Sequence, residues 1–312
     1  MVIIQIAGGL GNQMQQYALY RKLRKLGHNC KLDISWFESD RIQKKVLTKR
    51  KLELTRFENL PMEICTESEK QQVYGSDDFL GRLKRKLFRR PTHFVESEMY
   101  HPELFNISDG YLRGYFACDK YYADIMPQIR RDFIFPVSAD AKVEQKNLTI
   151  RGIMQSDPYS VCIHIRRGDY LAPENVELLG GICTPEYYAG AVEEVRRRFY
   201  ETSGEGKLTF YIFSDDPAYA KTLHFGKEDE ENVVIDWNTG EDNLLDMGLM
   251  RHGRAMICAN STFSFWGARL SFRTDKLMVR PFYHRNNQTT DPETMHDYWK
   301  DWILADKDGS VY

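Results

Sequence analysis

The chain lacks any run of about 18 apolar residues, the length a membrane-crossing helix needs, so no such helix can be read from it. It also lacks a C-x-x-C pair. Its six cysteines (Cys30, Cys65, Cys118, Cys162, Cys183, Cys258) are scattered, which argues against structural zinc and thioredoxin-type chemistry. Cysteine use of this kind suits a reducing, cytoplasmic compartment, and Cys162 and Cys258, inside apolar runs, read as core. An excess of charge is missing too. Lys and Arg number 43 against 45 Asp and Glu, a net charge of −2, so no electrostatic case for nucleic acid arises. The opening Met1-Val2-Ile3-Ile4-Gln5-Ile6 has no charged leader or cleavage site and reads as a strand, not a signal peptide.

What is present suits packed cores: 312 residues, 42% of them hydrophobic, enough for two domains. The first strand runs into Ala7-Gly8-Gly9-Leu10-Gly11-Asn12-Gln13, and helical spacing follows through Met14, Tyr17, Ala18, Leu19, Leu23 and Leu26, with Gly27 at the stop. A second strand at 29–34 completes a β–glycine turn–α–β unit, the setting for phosphate binding. As a dinucleotide fingerprint the turn is incomplete. Gly9 and Gly11 take the first two glycine places, Met14 stands in the third, and Asp33 lies where a ribose-binding acid would. Asn12 and Gln13 put two amide side chains at the start of the helix, facing a cleft above the sheet.

Between residues 38 and 92 there are two basic runs. The second, from Arg82 to Arg90, mixes Leu83, Leu87 and Phe88 with six positive charges. A solvated face is one reading; a basic amphipathic helix on an anionic membrane is the other. A strand at 111–116 and a helix at 119–131 follow, and polar residues 136–158 mark a domain boundary.

The second half alternates regularly. Strands read at 161–165, 208–213, 233–236, 255–258 and 277–279, separated by helices, one opened by Thr184-Pro185 and another by Asp216-Pro217. Alternation of this kind gives a parallel, Rossmann-like sheet. The organisation expected is 1–150, 151–290, and a C-terminal helix (291–304) with its tail, 291–312, packing back across the lobes.

Polar chemistry closes three of these strands. Ser160-Val161-Cys162-Ile163-His164-Ile165 ends in Arg166-Arg167-Gly168-Asp169, the second ends in Ser214-Asp215-Asp216, and the fourth in Asn260-Ser261-Thr262-Phe263-Ser264. Arginine grips phosphate with a planar fork, and hydroxyls with amides at a helix start bind anions. Asp215 or Asp216 could accept the N–H groups of a guanine edge. Helix capping is the simpler account of each cluster alone; coincidence at three strand ends favours a ligand site.

His164-Ile165-Arg166-Arg167-Gly168-Asp169 resembles the H-x-R-R-x-D element of α-1,2- and α-1,6-fucosyltransferases. Gly8-Gly9-Leu10-Gly11-Asn12-Gln13, Gly114-Tyr115-Phe116 with Lys120-Tyr121-Tyr122, Phe213-Ser214-Asp215-Asp216 and the stretch from Asn260 to Ala268 are similar to glycosyltransferase family 11, in family order. Gln15-Gln16 and Phe265 depart from its commoner residues. The resemblance implies an α/β, GT-B-like fold of two Rossmann-like domains facing each other across a cleft. It implies inverting transfer of fucose from GDP-β-L-fucose to the 2-hydroxyl of a terminal β-galactose, in bacterial surface-glycan synthesis. Donor contacts would fall on Gly9, Gly11, His164, Arg166, Arg167, Asp215, Asp216, Asn260, Ser261, Thr262, Phe263 and Ser264. Asn12 would orient the fucose or the acceptor. The base would be Asp169 or Glu174, the latter at the spacing of related α-1,6 enzymes, unless Asp169 instead orients Arg166. A lipid-linked acceptor would suit the basic run, placing the enzyme in the cytoplasm at the inner face of the membrane. No metal is expected, because the only D-x-D, Asp306-Lys307-Asp308, lies in the charged tail. Fucosyl transfer in another linkage, a nicotinamide-dependent oxidoreductase and a lectin-like protein are the alternatives.

Overall fold

Val2–Gln5 is apolar enough to be sealed inside a sheet, and in the computed structural model, which describes residues 1–312 except 45, 47–48, 76–92 and 98, it forms the inner strand β1. Contacts divide the chain into two units, Met1–Ile134 and Phe135–Tyr312. The first unit has a parallel sheet in the order β2-β1-β4-β3, with β2 at Cys30–Asp33, β3 at His93–Val95 and β4 at Gly110–Arg113. The helix Leu10–Lys25 buries Met14, Tyr17, Ala18, Leu19 and Leu23. It stops at Gly27 (φ 91°), a left-handed position that glycine adopts without strain.

The second unit carries a six-stranded parallel sheet in the order β10-β9-β8-β5-β6-β7. Its strands are β5 Ser160–Ile165, β6 Thr209–Ser214, β7 Glu231–Ile235, β8 Ala255–Ile257, β9 Leu277–Pro281 and β10 Ile303–Ala305. Every β5 residue is buried, as a strand covered on both faces requires. Val161, Ile163 and Ile165 pack on one face against Tyr188, Val192 and Val195 of the helix Pro185–Ser203. Alternation turns Cys162 and His164 to the other face, where the His164 ring lies 5.8 Å from that of Phe263. The chain winds from β5 through β6 to β7, then returns to β8 on the opposite side of β5. That reversal makes a switch point, where the carboxyl ends of strands leave a crevice.

The structure departs from the sequence reading in four places. The unit boundary falls at Ile134–Phe135, not at 150. The polar stretch after it holds the helix Ala141–Ser156, whose Asn147 bonds Asn238 and Trp237, so it belongs to the second unit. In the tail the helix is only Pro292–Tyr298; Ile303–Ala305 then pairs with β9 as an edge strand. Residues 119–131 form two short 3₁₀ turns before the helix Met126–Asp132. The basic run 82–90 lies outside the described residues. Among the described residues, no helix is long and apolar enough to cross a membrane.

Candidate active site

The end of β5 is built around Arg166. Its Nη2 donates to Asp169 Oδ1 at 2.6 Å, and its Nη1 lies 3.0 Å from Asp215 Oδ2. Burial works against charge on Arg166, but the carboxylates of Asp215 and Asp169 outweigh it and hold the guanidinium above its ordinary pKa. Arg167 turns the other way. Its Nε donates to Asp216 Oδ2 at 3.1 Å, and its guanidinium carbon lies 3.6 Å from the ring centre of Tyr219. Two guanidiniums thus face three carboxylates, a balance of −1 (+2 and −3).

Hydroxyls fix the backbone around them. Tyr188 donates to His164 O at 2.9 Å, Tyr187 to Cys258 O at 2.6 Å, and Tyr170 to Asn260 O at 2.9 Å. These three tyrosines pin the ends of β5 and β8, a role that sequence reasoning missed, since their carbonyl partners are distant in the chain. Gly168 was passed over as well. A Cβ there would sit 2.2 Å from Asp215 Oδ2, so the carboxylate fills the space a side chain would need.

His164 is buried, and desolvation, with Arg166 adding to it, pushes its pKa down to about 3, so the ring is neutral. Its Nδ1 is buried without a hydrogen-bond partner among the described residues. Asn260 spends its amide on the fold: Nδ2 donates to Leu179 O and His284 O, at 3.1 and 3.2 Å. Ser264 does likewise, its hydroxyl donating to Ser261 O at 3.0 Å. Ser261 stands at the N-cap of the helix Thr262–Arg269 without capping it through its side chain, and Thr262 and Phe263 are half-buried in the first turn. Asp216 is both a helix cap, accepting from Tyr219 N at 3.0 Å, and the Arg167 partner. Asp215 and Asp216 therefore face the arginines in this structure. Glu174 is exposed in the first turn of Pro173–Leu179. A cavity of about 490 Å³ adjoins Arg166 and Arg167, lined also by Tyr170, Tyr188, Tyr219 and Asn260.

The glycine turn belongs to the first unit and is described by itself. Gly9 caps the helix Leu10–Lys25, Gly11 is buried within it, and Asn12 packs against Gly8 (φ 80°). Gln13, expected to face a cleft, is buried instead. Its Nε2 donates to Gly8 O and Lys51 O, and its Oε1 accepts from Glu53 N at 2.8 Å. Gln16 ties Ala7 N to Gly114 O. Met14 is core, and Asp33 is sealed, accepting from Tyr111 Oη at 2.5 Å and from Ser35 N at 2.9 Å, beside Lys70. The acid that a nicotinamide site would need is thus held by other side chains.

A parallel α/β unit with paired guanidiniums and an uncapped helix start at the carboxyl ends of adjacent strands has the architecture of an anion-binding, nucleotide-type site. The chain belongs to glycosyl transferase family 11, whose model matches residues 92–306, and it is a glycosyltransferase. It is 28% identical over 278 residues to an alpha-1,2-colitosyltransferase of Escherichia coli, across 86% of this chain and 87% of that protein. It is 27% identical over 308 residues to the O-antigen biosynthesis glycosyltransferase WbnK of Escherichia coli, across 91% and 95%. Among solved structures it resembles NodZ alpha-1,6-fucosyltransferase co-crystallised with GDP, at 12% identity and a TM-score of 0.46, covering 100% of this chain and 97% of that one. It also resembles a variant of Arabidopsis thaliana FUT1 in complex with GDP, at 12% identity and a TM-score of 0.47, covering 86% and 68%.

Proposed function

We propose that this glycosyltransferase moves L-fucose from GDP-β-L-fucose to the 2-hydroxyl of a terminal β-galactose, inverting the anomeric centre to the α-linkage. The observation that carries the reading is Arg166 at the carboxyl end of β5, next to the uncapped start of the helix Thr262–Arg269. Departing GDP gathers negative charge on its phosphates. A fixed guanidinium and helix amides aimed at that charge stabilise the transition state more than the ground state, with no metal required. Glu174, exposed and near the arginines in sequence, takes the proton of the acceptor hydroxyl.

A second reading keeps the linkage and changes the sugar. The relative named an alpha-1,2-colitosyltransferase favours colitose, which is fucose without its 3-hydroxyl, as the group transferred. A site that hydrogen-bonds the 3-hydroxyl rejects the deoxy sugar by about 10⁴-fold, whereas an apolar one discriminates weakly.

Incubation with lactose and either GDP-fucose or GDP-colitose, followed by linkage analysis, separates the two. Fucosyl-α-1,2-galactose from the wild type, and none from Arg166→Ala, is the expected result. Transfer from neither donor, or full activity in Arg166→Ala, overturns the proposal.

A further inference from the structure

We infer that Asp215 is a positioning residue, setting the direction of the Arg166 guanidinium, and that residue 168 is glycine to make room for it. The inference rests on the reading of Arg166 as the donor phosphate grip. Asp215 follows the last residue of β6 and reaches across to the turn after β5. Its Oδ1 accepts from Arg167 N at 2.9 Å, which fixes the backbone of that turn. Its Oδ2 lies 3.0 Å from Arg166 Nη1, while Asp169 holds Nη2. The guanidinium is therefore gripped at both terminal nitrogens by carboxylates from two different strand ends. A long side chain so held forfeits its rotamer freedom before a ligand arrives.

Gly168 supplies independent support. A Cβ at this position would approach Asp215 Oδ2 to 2.2 Å and Asp215 Cγ to 3.3 Å. The carboxylate thus occupies the volume of the missing side chain. Holding Arg166 between two carboxylates has an electrostatic cost, because a phosphate must bind beside them. Removing one should improve affinity for an anion while loosening the group that meets it. Positioning and affinity then move in opposite directions, which a merely structural role would not produce.

The test uses four variants of the full chain, with GDP titrated calorimetrically, transfer measured from GDP-fucose to lactose, and Tm recorded. Asp215→Asn keeps an acceptor for Arg167 N and loses the charge facing Arg166. The expected result is a fall in kcat of about tenfold to a hundredfold, with GDP affinity held or tightened and Tm little changed. Gly168→Ala, which only has to displace the carboxylate, should lower kcat in the wild-type background and cost nothing further in an Asp215→Ala background. A parallel fall in Tm, GDP affinity and kcat in Asp215→Asn, or an additive cost of Gly168→Ala on Asp215→Ala, overturns the inference. Unchanged kcat in Asp215→Asn does so too. Failure of the wild type to bind GDP overturns the donor reading itself, and is told apart because it needs no variant.

Discussion

Asp169 is joined to Arg166 through a 2.6 Å contact between Oδ1 and Nη2, and its backbone carbonyl accepts from Asn175 Nδ2 at 2.7 Å. A carboxylate engaged in this way orients the guanidinium and is poorly placed to leave it for a substrate proton. Glu174 is exposed. Glu174→Gln should therefore lower kcat by about 10²–10⁴-fold while GDP affinity stays at the wild-type value. Asp169→Asn, which removes one of the two carboxylates on Arg166, should lower kcat while GDP affinity is held or tightened. Equal transfer rates for Glu174→Gln and the wild type would remove Glu174 as the base.

Stability of the second unit depends on a buried ion pair. Arg196 on the helix Pro185–Ser203 meets Glu230 in a fork, Nη1 to Oε1 at 2.6 Å and Nη2 to Oε2 at 2.8 Å. Glu230 also accepts from Leu208 N and Lys227 N, at 3.0 and 2.7 Å. Desolvation alone would raise its pKa; the Arg196 fork and the two amides outweigh it and hold the carboxyl down at about 2. A depressed carboxyl contributes stability above its unfolded pKa and loses it as pH falls through the folded value. Removing Glu230 leaves a buried guanidinium without its fork, a cost of about 3–5 kcal/mol. Thermal melts of Glu230→Ala should fall by on the order of 10 °C at pH 7, with the gap from wild type closing toward pH 2.

Asp246 carries the opposite sign. Burial pushes its pKa up to about 7, with a hydrogen bond from Asn238 (2.8 Å) opposing. A raised acid stays protonated in the fold while the unfolded chain ionises, so its stabilisation is complete below the unfolded pKa of 3.8 and is lost as pH rises toward 7. The Tm of Asp246→Asn, scanned between about pH 4 and 8, should vary less than that of the wild type and exceed it at the alkaline end. An unchanged pH profile would refute this.

Metal dependence is checked by chelation. Asp306-Lys307-Asp308 lies in a surface turn, where Asp308 Oδ1 accepts from Ser310 N at 2.9 Å and Lys307 N donates to Asp306 at 2.7 Å. Transfer should proceed at the same rate after exhaustive EDTA treatment; loss of activity restored by magnesium or manganese would show that a cation shares the work of Arg166.

The strand ends were legible because their residue types are costly in any other place. Arg166 and Arg167 directly after a fully apolar strand, and Thr184 before Pro185, each combine a chemical requirement with a local rule. What the side chains bond was less legible. Gln13 reads as a helix-start amide available to a ligand, yet it is taken up by Gly8, Lys51 and Glu53, and nothing local to Gln13 identifies partners some 40 residues away. Asp215 and Asp216 read as base-binding acids for the same reason. Their arginine partners, Arg166 and Arg167, lie just past the end of the neighbouring strand and are reached only through the β5–β6 register. The helix Ala141–Ser156 was hidden by weak amphipathicity, since of its sixteen residues only Asn147, Ile150 and Met154 are buried. β10 was hidden by brevity, three residues shortly after Tyr298, Trp299 and Trp302, whose spacing reads as helical.

Every pairing between named strands is parallel, and β5 meets β8 with Val161 opposite Ala255. No tight hairpin joins these neighbours. Parallel contacts of such sequence separation form late, after the entropy of closing the intervening chain has been met. A nascent chain that has emerged only through β7 already carries both arginines, the three aspartates that hold them and the helix Pro185–Ser203. It still lacks the strand that covers the other edge of β5 and the helix start beside it. The crevice at the carboxyl ends of β5 and β8 is thus a late product of folding, and its first appearance marks a second unit that is fully assembled.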